Sequence, residues 1–228
     1  MEHISHFHRQ MQRIKDDVLS MAGLVEESIH DACQSLAGRD LDLARRVVQG
    51  DRRVDVMQNG IEERCITLLA TQQPVAVDLR FLAAVIKICA YLERMGDQAV
   101  NVAQRAQALA ELPAMDLPPT LLTMGDIARG MVGDSLDALV QENVRLATQV
   151  LRRDDELDAL NRSFLEEMIG WMTREHRLIR RGVEFILAAR HLERLGDEAT
   201  NIAEEVIYLV EGRVVRHLSL TEAGVGPL

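Results

Sequence analysis

Tyr91-Leu-Glu-Arg-Met-Gly-Asp-Gln-Ala-Val-Asn-Val-Ala-Gln104 occurs twice in this chain. The second copy reads His191-Leu-Glu-Arg-Leu-Gly-Asp-Glu-Ala-Thr-Asn-Ile-Ala-Glu204, and eight of the fourteen positions are identical. Glu93, Asp97 and Asn101 in one copy, and Glu193, Asp197 and Asn201 in the other, stand at i, i+4 and i+8. At about 3.6 residues per turn, that spacing lines oxygen-bearing side chains along one helix face. Carboxylates four apart repel by about 0.2–0.5 kcal/mol on an isolated helix. A helix-weakening glycine, Gly96 or Gly196, stands beside each set. Two such unfavourable patterns in one register point to a ligand, and a cation is the obvious one.

Helical periodicity extends from the motif in both directions. Phe7, Met11, Ile14, Val18, Met21, Val25, Ile29, Ala32 and Leu36 predict a first amphipathic helix over about 6–36. Gly38-Arg-Asp breaks it, with Asp40 as N-cap of a second helix over about 41–70. That helix faces inward through Ala44, Val47, Val48, Val54, Met57, Ile61, Ile66 and Leu69 and ends at Thr71-Gln-Gln-Pro74. A third, over about 77–111, carries the motif. Residues 112–119 hold three of the five prolines and read as a boundary. The pattern then restarts: a helix over 126–139 with Ile127, Met131, Leu136 and Leu139 inward, a turn with Asn143 in place of Asp40, and helices over 146–171 and 178–210.

An offset of 103 aligns Asp51 with Asp154 and Asp55 with Asp158, and the offset falls to 100 at Arg80/Arg180 and the motif. The second half is therefore three residues shorter between its second and third helices, and loops tolerate such changes. The expected fold is all-α: a tandem duplication of a three-helix bundle, six long antiparallel helices in all. The expected boundaries are 1–112 for the first bundle, 113–119 for the linker, 120–212 for the second bundle and 213–228 for a flexible tail.

Antiparallel packing brings the start of each second helix to the height of the motif. Asp51 and Asp55 lie about 20 residues before the turn at 71–76, and Glu93 and Asp97 about 20 after it. Asp154 and Asp158 stand likewise to Glu193 and Asp197. Four carboxylates plus an amide oxygen per half form a hard-oxygen set suited to magnesium, manganese, calcium or iron. The plainer readings are a solvated acidic face partnered by Arg94 or Arg194, helix-start charge compensation for the four second-helix aspartates, and cross-helix bonding for Asn101 and Asn201. Arg80 and Arg180 read as structural partners of the acidic sets. His3, His6 and His8 read as solvated, and His191 as a packing or surface residue.

Composition bounds the rest. With 36 acidic against 26 basic residues the net charge is −10, which excludes a nucleic-acid partner and fits cations or basic protein surfaces. Aromatics are 3% and hydrophobics 47%, as in long helices packed through aliphatic side chains. No apolar run reaches the ~18 residues of a membrane span, and the N-terminus lacks a signal-peptide core, so a cytoplasmic chain without membrane insertion is expected. Cys33, Cys65 and Cys89 read as buried free thiols. There is no Walker motif, no Gly-x-Ser-x-Gly, no zinc spacing and no pair of Glu-x-x-His motifs as in ferritin-like di-iron sites, so no enzyme is expected.

Together these residues resemble the PhoU family of phosphate-uptake regulators. The resemblance rests on His3-Ile-Ser, Met21-Ala-Gly-Leu-Val-Glu26, Leu68-Leu-Ala-Thr-Gln-Gln-Pro-Val-Ala-Val-Asp-Leu-Arg80 and the two Leu-Glu-Arg-x-Gly-Asp signatures. It implies two three-helix bundles and a regulator that links a phosphate ABC transporter, through its ATPase subunit, to a sensor histidine kinase. Such a regulator keeps the phosphate-starvation response off when phosphate is plentiful. It implies metal ions (iron, manganese or magnesium) at Asp51, Asp55, Glu93 and Asp97 and at Asp154, Asp158, Glu193 and Asp197, with Asn101 and Asn201 extending the signature. It also implies a homodimer, peripheral to the inner membrane through its partners. Many relatives carry His after the motif aspartate where this chain has Gln98 and Glu198, and Glu198 could add a carboxylate. The alternatives are a metal-storage protein or metal-dependent enzyme on the same bundle, and a metal-free acidic helical adaptor.

Overall fold

The structure, a computed structural model, describes residues 2–215, with side chains from residue 6. Its α-helices are α1 (Glu2–Gly38), α2 (Leu41–Gly50), α3 (Arg52–Gln72), α4 (Ala76–Ala110), α5 (Pro119–Gln141), α6 (Val144–Arg174) and α7 (Ile179–Glu211), with a 3-10 turn at His176–Leu178. Asp51 keeps right-handed helical angles between α2 and α3, so those two make one rod and the described chain is six rods with no strand.

The apolar stripe of α1 is buried as its spacing requires, from Met11 through Leu36, with Phe7 partly buried against it. In α3 the stripe runs through Ile61, Cys65 and Leu68 and leaves Ile66 58% exposed. Ile66 was expected inside; steps of four and three residues along the interrupted rod turn it outward. The helix that opens the second half begins at Pro119, seven residues before the expected Asp126. Proline suits a first helical position, because its missing N–H has no intrahelical partner there.

The same turn closes the first helix of each half. Arg39 (φ 55) and Glu142 (φ 51) take the left-handed conformation, and the next residue caps the following helix. Asp40 Oδ1 accepts from the N–H groups of Asp42 and Leu43, and Asn143 Oδ1 from those of Arg145 and Leu146. Asp40 N–H in turn donates to Ser35 O, and Asn143 N–H to Ala138 O. Both caps match the sequence reading.

α4 packs on α1, on the α2–α3 rod and on α7, while α7 packs on α4, α5 and α6. These two helices are thus enclosed on several sides, and their buried positions include Ala84, Ala99, Ala103 and Ala106 on α4 and Ala188, Ala189, Ala199 and Ala203 on α7. A row of polar bonds shows that they run antiparallel. Lys87 Nζ meets Glu205 Oε1 at 3.1 Å, Arg94 bonds both oxygens of Glu198, and Arg105 Nη1 meets Glu184 Oε2 at 3.0 Å. The two motif helices are therefore the centre of the molecule. Past α7, Val215 is buried, so the chain stays packed just beyond the helix. The rest of the expected flexible tail, 216–228, lies outside the described residues.

Cys65 and Cys89 are buried free thiols, pushed by burial up to about 11 and about 12. Cys33 is also free but only partly buried. Among the described residues no helix is long and apolar enough to cross a membrane.

Candidate metal centres

In the first half, Asp51 sits at the junction of α2 and α3 and makes no side-chain cap bond, although it occupies the N-cap position of α3. Its carboxylate instead lies over Gly96: a Cβ added there would stand 3.2 Å from Asp51 Oδ1. Asp55 follows one turn later, and α4 presents Glu93 and Asp97. Burial pushes the Asp51 carboxyl above its ordinary range, and Asp55 and Asp97 push it further. Glu93 is raised by burial and then by Asp97 and Asp55, and Asp97 by burial and then Asp55. The four groups therefore share one field. Among the described residues none of them makes an ion pair.

The second half repeats the arrangement with more enclosure. Asp154 and Asp158 lie well inside α6, which begins at Val144, so helix-start compensation does not account for them. A Cβ on Gly196 would stand 3.4 Å from Asp154 Oδ1. Burial, then Asp197 and Asp158, push Asp154 up to about 7. Partial desolvation, then Glu193 and Asp158, push Asp197 up to about 6. Glu193 is raised by burial against the opposing pull of Arg190. Two arginines rim this centre: Arg190 Nη1 is 3.0 Å from Glu193 Oε1, and Arg162 Nη1 is 3.6 Å from Asp158 Oδ2. The other oxygen of Glu193, Oε2, is buried with no hydrogen-bond partner. An orphaned buried carboxylate oxygen beside three more carboxylates is the donor set that a hard cation completes. Among the described residues no three acidic, His or Cys groups are already drawn to common ligand spacing.

Asn201 Nδ2 donates to Glu198 Oε2 at 3.2 Å, toward the seam between α4 and α7. Asn101 is half-buried on α4. Glu198 is held by both nitrogens of the Arg94 fork and belongs to that seam. Gln98 Oε1 and His191 Nδ1 stand 2.9 Å apart across the same seam, and burial followed by Arg194 and Arg105 lowers His191 to about 4, so its ring is neutral at pH 7. Arg180 pairs with Glu111 at the linker rather than with the acidic sets, and Arg80 packs against Gly212. Both had been expected beside the carboxylates; each stands in the first turns of its helix, thirteen residues before the motif glutamate, which at 1.5 Å per residue is about 20 Å away. His6 and His8 stand on the first turns of α1, and the side chain of His3 lies outside the described residues. The paired glycines are the signal that sequence alone left without a role, since each clears room for an aspartate from the neighbouring rod.

The PhoU domain family matches residues 18–106 and 121–206, one copy on each half. The chain belongs to the PhoU family. The phosphate-specific transport system accessory protein PhoU homolog of Aquifex aeolicus (strain VF5) is 38% identical over 216 residues, covering 95% of this chain and 98% of the relative. The Pseudomonas putida protein of the same description is 38% identical over 222 residues, covering 96% and 86%. The crystal structure of PhoU from Pseudomonas aeruginosa superposes with a TM-score of 0.88 at 36% identity, covering 91% of this chain and all of that one. This PhoU-family chain is thus alike in sequence and fold over nearly its whole length. The relatives are described as accessory proteins of phosphate-specific transport, and none of these descriptions names a catalytic activity.

Proposed function

We propose that this chain is a non-enzymatic regulator of inorganic phosphate uptake and of the phosphate-starvation response. It acts as a cation-binding adaptor between the ATPase subunit of a phosphate ABC transporter and a sensor histidine kinase, and restrains both when phosphate is plentiful. Family membership across both halves supports the phosphate role. The observation that carries the cation is the unpartnered, buried Glu193 Oε2 among the carboxylates of Asp154, Asp158 and Asp197.

Asp51, Asp55, Glu93 and Asp97 would hold one centre, and Asp154, Asp158, Glu193 and Asp197 the other. A bound magnesium, manganese or iron ion would supply charge neutralisation and a cross-link between the α2–α3 rod and α4, or between α6 and α7. The chain's own contribution is to place the carboxylates on a continuous acidic face. Its charge, and so its fit to a basic partner surface, changes with loading. The adaptor works in the cytoplasm, reaches the membrane through its partners and pairs with a second copy of itself.

Elemental analysis of chelator-free protein, repeated after soaking in divalent ions, tests the cation in wild type and in an Asp97→Asn/Asp197→Asn double variant. Stoichiometric metal in the wild type, lost in the variant, is the expected result. No specific metal even after soaking would leave a second reading, favoured by the absence of ligand spacing among the described groups: a metal-free adaptor whose acidic face docks directly. Co-purification with the transporter ATPase at graded salt then separates the two, because a bare acidic face loses its partner as salt rises.

A further inference from the structure

Beneath the linker between the halves lies a cleft of about 370 Å³, whose lining includes none of the eight carboxylates of the acidic centres although it shares α4 and α7 with them. The end of α1, the end of α4, the linker and the starts of α5 and α7 line it, with Leu36, Leu109, Leu122 and Phe185 as its apolar wall. Its volume falls in the range of about 300–1,000 Å³ that small-molecule sites occupy.

Two arginines face this cleft, and among the described residues neither has an acidic partner. Arg181 is 7% exposed and, among the described residues, makes one hydrogen bond, from Nη2 to Pro113 O. Arg39, on its left-handed turn, donates from Nη2 to Ala110 O and Leu112 O. Among the described residues no carboxylate lies within ion-pair distance of either guanidinium. Each guanidinium carries five N–H donors, and carbonyl oxygens take only one or two of them here. Desolvation lowers the Arg181 pKa, and the positive charge of Arg39 lowers it further. Two like charges, one of them buried, are held together in an acidic protein with only backbone dipoles for company. A buried charge normally has a partner, because the desolvation it suffers is otherwise uncompensated. The one acidic side chain in the lining is Asp116, which is exposed on the linker.

We propose that this cleft binds a small organic oxyanion, a phosphate ester or carboxylate with an apolar body. Arg39 and Arg181 clamp the anionic head, whose planar or tetrahedral oxygens accept from both forks. The apolar body lies on Leu36, Leu122 and Phe185. Occupancy ties the end of α1 to the start of α7 through the linker carbonyls that both arginines already hold, and so stiffens the joint between the halves. The site is independent of the acidic centres and of whether they hold metal.

Isothermal titration calorimetry of the full chain with phenyl phosphate, benzoate, inorganic phosphate and benzyl alcohol tests this. Phenyl phosphate or benzoate should saturate one site per chain, at least tenfold more tightly than inorganic phosphate or benzyl alcohol; which of the two binds better distinguishes an ester from a carboxylate. Arg39→Gln should weaken that binding at least tenfold, and Asp116→Asn should strengthen it severalfold by removing the competing charge. Arg39 is only half-buried, so its variant keeps the test valid even where Arg181→Met fails to fold. Absence of saturable binding by both aromatic anions overturns the proposal, as does binding that benzyl alcohol matches or that Arg39→Gln leaves unchanged.

Discussion

Asp51 lies over Gly96, with Oδ1 3.2 Å from the point where a Cβ would stand, and Asp154 stands over Gly196 in the same way at 3.4 Å. The motif glycine thus gives each aspartate its place beside the next helix. At the second site a Cβ on Gly196 would also come within 2.6 Å of Leu157 Cδ2, in the packed core.

Gly196→Ala should therefore destabilise the protein by about 1–3 kcal/mol, the usual penalty of overpacking. Gly96→Ala meets a carboxylate that can swing away, and helix propensity returns about 0.5–1 kcal/mol. It should leave stability nearly unchanged while displacing Asp51 and weakening cation binding in the first half. Urea melts and cation titrations of both variants check the contrast; equal destabilisation would refute it.

Stability without metal should fall as pH rises. Asp154 titrates at about 7 and Asp197 at about 6 in the folded chain, against an ordinary 3.8 for both. Between these limits the folded state binds more protons than the unfolded one, so stability is full below pH 4 from these groups and is lost as pH rises through 6 and 7. Asp51, Glu93, Asp97 and Glu193 are raised as well and act in the same direction. Solvent screening keeps the net effect near about 1 kcal/mol, or a Tm lower by about 2–4 °C at pH 8 than at pH 5. Calorimetry in chelator measures it, and a Tm that rises over that interval would contradict the shared acidic field.

Arg190 competes with any cation for Glu193, since it already holds Oε1 at 3.0 Å. Arg190→Gln should tighten cation binding in the second half by a factor of about five, the equivalent of about 1 kcal/mol for a half-exposed pair. The first half has no such competitor among the described residues and should be unaffected. Titrations in an Asp97→Asn background isolate the second centre.

The halves should unfold together only while their seam is intact. Arg94 and Glu198 form a two-bonded ion pair across α4 and α7, at 2.8 and 3.0 Å. A double-mutant cycle with Arg94→Met and Glu198→Gln should show a coupling of about 0.5–3 kcal/mol. A coupling near zero would mean that the alanine packing of α4 on α7 holds the halves without help.

The duplicated motif, the helix periods and the caps at Asp40 and Asn143 could be read from the chain alone. Each depends on neighbours within a few residues, and helical geometry converts such spacing directly into a shared face. The second-helix aspartates were also legible, because antiparallel rods joined by a short turn bring equal counts of residues to equal height. Three features arose only on folding. Glu198, beside the motif aspartate, faces Arg94 across the seam rather than the carboxylates. The two glycines act through side chains that come from another rod. Arg39 and Arg181, unremarkable in sequence and 142 positions apart, meet beneath the linker. Helix register belongs to the local sequence, whereas the rotation of one rod against another is settled by packing across the whole core.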